Sequence, residues 1–86
     1  MNSQANAAER AHMQRVKELP CSLCGDPGPS SAHHIKQGLH YTVIALCQSC
    51  HQGPRLGWHG EKIAWKQRKK DEIDALNQTI KDLMRS

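Results

Sequence analysis

Four cysteines form two closely spaced pairs, and two residues separate the cysteines within each pair. Twenty-two residues lie between the pairs. Two such turns can converge to present four thiolates in a tetrahedron, which is the environment that structural Zn²⁺ prefers. The spacing therefore predicts a structural Zn²⁺ ion bound by Cys21, Cys24, Cys47 and Cys50.

Other uses of these cysteines fit the sequence less well. Two disulfides need an oxidising compartment, and residues 1–10 contain no apolar signal segment. The run Cys47-Gln-Ser-Cys50-His51 also matches c-type haem attachment, which needs export and leaves the first pair unexplained. A ligand set in which His51 replaces Cys50 stays open. We therefore expect a zinc-binding protein of the cytoplasm.

Histidine is unusually frequent, and five of the six histidines lie inside or just after the segment that zinc would fold. These five are His33, His34, His40, His51 and His59. Imidazoles bind divalent metals and act as proton acceptors near neutral pH. One such histidine alone would be an ordinary surface residue, but the group beside the cysteine frame predicts a shared active site.

The composition limits the size and kind of protein. The chain has 86 residues, 37% of them apolar and none of them Phe. Such a chain forms one domain, here residues 1–86, with a thin core that a bound metal would stabilise. Large-pocket enzymes are excluded, and no apolar run approaches the roughly 18 residues of a membrane span.

The elements that must position the cysteines and histidines follow from residue patterns. We expect an α+β domain in which two short strands lie between the cysteine pairs and a helix lies at each end. Gly38 would allow the reversal between the strands. The last helix carries an apolar stripe at helical spacing, and Trp65 would cover the small core. The expected bounds are a disordered tail over 1–6, a helix over 7–19, strands over 32–35 and 41–46, an irregular 51–60 and one long helix over 61–84, whose stripe is Ile73, Leu76, Ile80 and Leu83.

Positive charge is concentrated at the start of that last helix. The formal net charge is +4, a modest excess that suits a polyanionic partner. Within five residues the chain carries Lys66, Arg68, Lys69 and Lys70. Such a cluster either forms a solvated helix face or contacts the phosphates of a nucleic-acid backbone.

Two motif blocks between residues 20 and 60 resemble the HNH (ββα-metal) endonucleases. The blocks are Ala32-His33-His34-Ile35 and Leu46-Cys47-Gln48-Ser49-Cys50-His51. The double histidine is similar to that of colicin DNases. Trp58-His59-Gly60 also resembles the phage recombination-enhancement nucleases, which cut DNA opened by a recombinase filament. The resemblance implies a zinc-stabilised ββα-metal core flanked by the two terminal helices.

The resemblance assigns a role to each histidine. His33 and His51 would bind a catalytic divalent metal (Mg²⁺, Mn²⁺, Ni²⁺ or Zn²⁺), and His34 would be the general base. The family's middle Asn is absent, and His40 or Thr42 occupies that region. The family's further histidine ligand is also absent, because Arg55 occupies its position, and His59 is the nearest substitute.

The resemblance implies a metal-dependent DNA endonuclease or nickase that leaves 5′-phosphate and 3′-hydroxyl ends. Its partners would be duplex or single-stranded DNA and a recombinase filament or another phage protein, with no membrane association. It would be encoded by a phage or prophage and act in DNA recombination or processing, as a monomer or as a homodimer through the last helix. The alternative is a zinc-ribbon-like module that binds nucleic acid without cutting it.

Overall fold

The structure, a computed structural model, describes residues 4–85. It is an α+β arrangement, as the sequence predicts, in which helices surround one two-stranded antiparallel sheet. The elements in chain order are α1 (Ala7–Lys17), β1 (Ser31–His34), β2 (Val43–Leu46), α2 (Gln48–Gln52), α3 (Ile63–Arg68) and α4 (Glu72–Arg85). Among residues 4–85, none of these helices is both long and apolar enough to cross a membrane.

Helix α1 begins at a capping box. The side chain of Asn6 accepts a hydrogen bond from the Glu9 N–H at 2.8 Å, and the Glu9 carboxylate accepts one from the Asn6 N–H at 2.8 Å. Each side chain thus satisfies an N–H group that the first turn leaves unpaired. Asn6 therefore belongs to the helix rather than to the tail expected over 1–6, of which residues 1–3 lie outside the described residues.

The sheet is shorter than the sequence predicts, because both strands lose their loop-proximal ends to the turn between them. Strand β1 ends at His34, just before Ile35. Strand β2 begins only at Val43, because the Thr42 N–H donates within the turn, to the Leu39 carbonyl at 3.1 Å. Gly38 has φ +89° in this turn, in the left-handed region that glycine adopts without strain. The strands pair with His33 opposite Ile44.

Strand β2 is buried on both faces and divides the core in two. Val43 and Ala45 pack with Val16 and Leu19 at the end of α1. The alternate residues of β2 pack against the cysteines and α3, in a cluster of Cys21, Leu23, Ile44, Leu46, Cys47, Cys50, Ala64, Trp65 and Ala75. Trp65 is 1% exposed, so the prediction that it covers the core is confirmed.

The prediction of one long helix over 61–84 is wrong. Two backbone motifs end α3 at Arg68 and begin the separate helix α4 at Glu72. Lys69 adopts left-handed backbone angles, and the Lys70 N–H donates to the Trp65 carbonyl at 3.1 Å, which closes α3 in a Schellman motif. Asp71 and Asp74 then cap α4 through reciprocal side-chain to backbone hydrogen bonds of 3.0 and 3.1 Å. No glycine or proline marks the break.

The face that α4 buries also differs from the predicted stripe. Ala75 and Thr79 are fully buried, whereas Ile73 and Ile80 are 64% and 47% exposed. The helix lies so close to β2 that the Thr79 hydroxyl accepts a hydrogen bond from the Ala45 N–H at 3.1 Å. Only small side chains fit at that distance, so Leu76 and Leu83 of the predicted stripe pack half-buried at the flanks of the contact.

The outer edge of β2 is completed by side chains and loops rather than by a third strand. The Ser22 N–H donates to the Ala45 carbonyl at 2.8 Å, and the Ser22 and Thr79 hydroxyls share a hydrogen bond of 2.6 Å. These bonds join the first cysteine turn, the sheet and α4 in one buried polar network, in which each member depends on the others for its partner.

Replacing Thr79 by Val should lower the free energy of unfolding by about 1 to 3 kcal/mol, because Val keeps the volume but leaves buried polar groups of Ser22 and Ala45 unpaired. Thr79→Ser keeps the hydroxyl and is the matched control. Urea unfolding of the zinc-loaded proteins measures both changes. A Thr79→Val protein more stable than Thr79→Ser would contradict this account of the network.

Candidate metal centres

The four cysteines converge from two different local structures. The first pair lies in a turn in which the Gly25 N–H donates to the Cys21 carbonyl at 2.9 Å, and Gly25 has φ +83°. The second pair begins helix α2, with Cys47 at its N-cap and Cys50 in its first turn. Both local structures are tight, so each brings its two sulfur atoms to the same side.

The geometry of the sulfur atoms fits a tetrahedral metal site. The four Sγ atoms lie within 4.8 Å of one another, and those of Cys24 and Cys47 are 3.7 Å apart. Zinc–sulfur bonds of about 2.3 Å in a tetrahedron place the sulfur atoms about 3.8 Å apart. All four cysteines are free thiols. Together they can coordinate a structural metal ion such as zinc.

The thiols compete for ionisation when no cation is near. Burial and the neighbouring Cys21 raise the pKa of Cys50 far above its ordinary value. Burial opposes ionisation of Cys21 as well, but hydrogen bonds from backbone N–H groups, that of Cys24 foremost, bring its pKa below the ordinary value. Four thiolates at this distance therefore require a bound cation to offset their mutual repulsion.

The three predicted metal-binding histidines form a second group. His33, His51 and His59 have ligand nitrogens within 4.8 Å of one another and ring centroids 4.9 to 5.1 Å apart. Burial and the neighbouring imidazoles lower the pKa of His51, which favours the neutral ring that binds metals. Its Nδ1 atom is buried and has no hydrogen-bond partner among the described residues. The donor set fits a divalent cation, and His51 belongs to this group rather than to the cysteine cluster.

A glycine-rich loop brings His59 back beside His51. The His59 N–H donates to the His51 carbonyl at 3.1 Å, and the Trp58 N–H donates to the Cys50 carbonyl at 2.8 Å. A Cβ atom at Gly57 would lie 2.6 Å from the Gly53 nitrogen, and one at Gly60 would lie 2.5 Å from the Gly53 oxygen. The loop can therefore close only where these positions lack side chains.

Glu72 supports this group through His33, and sequence analysis missed it. One of its carboxylate oxygens lies 2.5 Å from the Nε2 atom of His33, which is 4% exposed. The carboxylate can hold the His33 ring for metal binding through Nδ1, as carboxylates do for many ligand histidines. Only the capping pair Asp71-x-x-Asp74 hints in the sequence that α4 begins here, with Glu72 in its first turn.

The predicted base His34 lies outside the three-histidine group. Successive residues of a strand point to opposite faces, so His34 turns away from its neighbour His33 and instead shares a hydrogen bond of 3.0 Å between its Nε2 and His40 Nδ1. Burial, followed by the nearby charges of His40 and His33, lowers the pKa of His34. A neutral imidazole is thereby favoured at neutral pH, which is the form able to accept a proton.

Three of the four predicted phosphate-binding residues lie together, and one does not. Lys66, Lys69 and Lys70 line an open groove of about 310 Å³ beside α3, whereas Arg68 turns back toward the Ala64 carbonyl at 3.4 Å. The sequence analysis did not single out Lys62, whose ammonium lies 4.1 Å from the ring centroid of Trp58 in the same groove. The groove also includes the carboxylates of Asp71 and Asp74.

Comparisons of this chain with models of protein families, with curated proteins and with solved structures find no match.

Removing the structural metal with a strong chelator, or replacing Cys47 by Ser, should abolish cooperative thermal unfolding. Binding of structural zinc contributes on the order of 10 kcal/mol, which is comparable to the whole stability of a small domain. Circular dichroism and metal analysis would measure the effect. The control is Ser49→Ala, because Ser49 is exposed and lies between Cys47 and Cys50. A Cys47→Ser protein that keeps both its metal and its melting transition would contradict the four-cysteine site.

Proposed function

We propose that this protein is a metal-dependent DNA endonuclease or nickase of the HNH type. The observation that carries the proposal is the group of His33, His51 and His59, with His34, the next residue of the same strand, hydrogen-bonded to His40 of the turn. Metal ligands and a candidate base thus occupy neighbouring positions around one strand end. The motif blocks that resemble the HNH family supply His33, His34 and His51 of this set.

Different residues of the chain would bind the metal, hold a ligand in place and accept a proton during phosphodiester hydrolysis. A divalent cation held by His33, His51 and His59 would offset charge on the scissile phosphate and on the leaving oxygen. Glu72 keeps the His33 ring in place. His34 would take a proton from the attacking water as the water oxygen bonds to phosphorus, the bond from phosphorus to the 3′ oxygen breaks, and the leaving 3′ oxygen takes a proton from solvent to become a hydroxyl.

His40 takes the place of the family's Asn in orienting the base. In the tautomer in which His34 donates its Nε2–H to His40 Nδ1, the His34 Nδ1 atom carries a free lone pair. That lone pair is the acceptor that a general base needs. The contact with His40 thereby fixes the ring orientation of His34.

The lysines beside α3 provide the attraction for DNA. Lys62, Lys66, Lys69 and Lys70 line one groove, and phosphate contacts of this kind position a nucleic acid without reading its sequence. A setting in recombination, with a recombinase filament as partner, follows from the resemblance of Trp58-His59-Gly60 to the phage recombination-enhancement nucleases.

Plasmid nicking by the zinc-loaded protein with added Mg²⁺ or Mn²⁺ tests the proposal. His34→Ala should slow nicking about 100-fold or more, the usual contribution of a general base, and EDTA should abolish it. The matched control is His12→Ala, a half-buried histidine of α1 outside both histidine groups, which should nick normally.

The nicking assay also distinguishes the alternative function. A protein that binds DNA and keeps its structural zinc, but cuts neither supercoiled nor single-stranded DNA with any of the four metals, would be a zinc-ribbon-like binding module. Equal nicking by wild type and His34→Ala would leave a nuclease but remove His34 as its base.

Replacing Glu72 by Gln should weaken binding of the second metal about 10- to 100-fold, which is typical when the carboxylate that holds a ligand histidine is lost. Calorimetric titration of Mn²⁺ into the zinc-loaded protein measures this affinity. Glu61→Gln removes an exposed carboxylate next to the same loop and serves as control. Unchanged Mn²⁺ affinity in Glu72→Gln would show that Glu72 does not support the site.

A further inference from the structure

A second hollow adjoins the lysine groove on the side of the histidine group. It has a volume of about 280 Å³ and is lined by Ile35, Trp58, Asp71, Glu72 and Ile73. Trp58 and Asp71 line both hollows, so the two lie side by side. Glu72 in turn contacts His33. The surface therefore runs from the lysines past an aromatic ring to the edge of the candidate metal centre.

The apolar lining of this hollow includes a side chain that the core does not require. Ile73 is 64% exposed and belongs to neither cluster of the core. Together with Ile35 and the half-buried Trp58, it forms apolar walls for an open space. Such walls suit a flat apolar ring, and nucleic-acid bases stack on aromatic side chains of this kind.

The two hollows differ in charge, so that one suits the phosphate of a nucleotide and the other suits its base. The groove has four ammonium groups against the carboxylates of Asp71 and Asp74, so its net positive charge attracts phosphates. Within residues 4–85, the lining of the second hollow contains no cation, and its carboxylates, those of Asp71 and Glu72, repel phosphates but accept hydrogen bonds from the amino groups of bases. A base paired within a duplex is stacked between its neighbours and cannot enter a hollow of this size.

We propose that the second hollow binds an unpaired base while the lysines hold the phosphates beside it. The protein would thus engage a single-stranded stretch of DNA directly next to the cutting site. This inference rests on the proposed nuclease function, since it names the form of the substrate at that same site.

Fluorescence anisotropy tests the inference with a labelled oligodeoxycytidylate of about 12 nucleotides, a length typical of single-strand sites. A blunt hairpin duplex of similar length is the comparison. The zinc-loaded His34→Ala protein is used throughout so that nothing is cut. We expect the single strand to bind at least tenfold more tightly than the duplex. Because the only other tryptophan, Trp65, is 1% exposed, quenching of tryptophan fluorescence by the single strand reports on Trp58.

Substitutions on the exposed surface of α4 locate the binding. In the same background, Ile73→Asp should weaken single-strand binding about tenfold, because an apolar wall beside the bound base is replaced by a carboxylate, and should weaken duplex binding no more than Ile80→Asp does. Ile80→Asp is the matched control, because Ile80 is exposed on the same helix two turns away from the hollow. Circular dichroism confirms that both variants are folded.

The outcomes separate this inference from the proposed function. Equal affinity for single strand and duplex, or equal binding by Ile73→Asp and Ile80→Asp, would overturn the hollow as a base site even if the wild type nicks plasmids. A single-strand preference that Ile73→Asp removes, in a protein that shows no metal-dependent nicking, would uphold the hollow and overturn the nuclease.

Discussion

The convergence of four sulfur atoms is the constraint on which the other elements depend. The cysteine turn at Cys21 and the start of α2 at Cys47 meet in the core cluster that also contains Leu46 of β2. A carbonyl of the cluster, that of Cys50, accepts hydrogen bonds from the Trp58 N–H at 2.8 Å and the Trp65 Nε1–H at 2.9 Å. The glycine loop and α3 are thereby attached to the cysteine frame.

The positions of His33, His51 and His59 depend on the four-cysteine cluster and on the elements attached to it. His33 comes from the sheet, His51 from the helix that the second cysteine pair begins, and His59 from the loop that bonds back to that helix. Glu72 arrives from α4, which the buried network of Ser22, Ala45 and Thr79 holds against β2. Four separate segments thus meet at one point, and a change in any of them alters the group.

Local spacing made part of this arrangement predictable. The spacing within each cysteine pair acts over a few residues and indicated that the four sulfur atoms converge. The choice of His33, His51 and His59 as ligands followed from the family resemblance. The break between α3 and α4 was not predictable in this way, because Lys69 ends the helix without glycine or proline. Glu72 was missed for the same reason, since its approach to His33 depends on that break. The buried face of α4 depends on its close contact with β2, which no periodicity within the helix shows.

The two lysines at the ends of α3 connect local strain with surface charge. Lys62 and Lys69 have φ angles of 60° and 53°, a conformation that costs a residue with a side chain on the order of 1 kcal/mol relative to glycine. Glycine would satisfy the backbone at either end more cheaply but would remove an ammonium group from the groove. With lysine at both ends and Lys66 between them, the short helix carries three cations toward the same groove. The strain and the charge are thus present together where the proposed function requires attraction for phosphates.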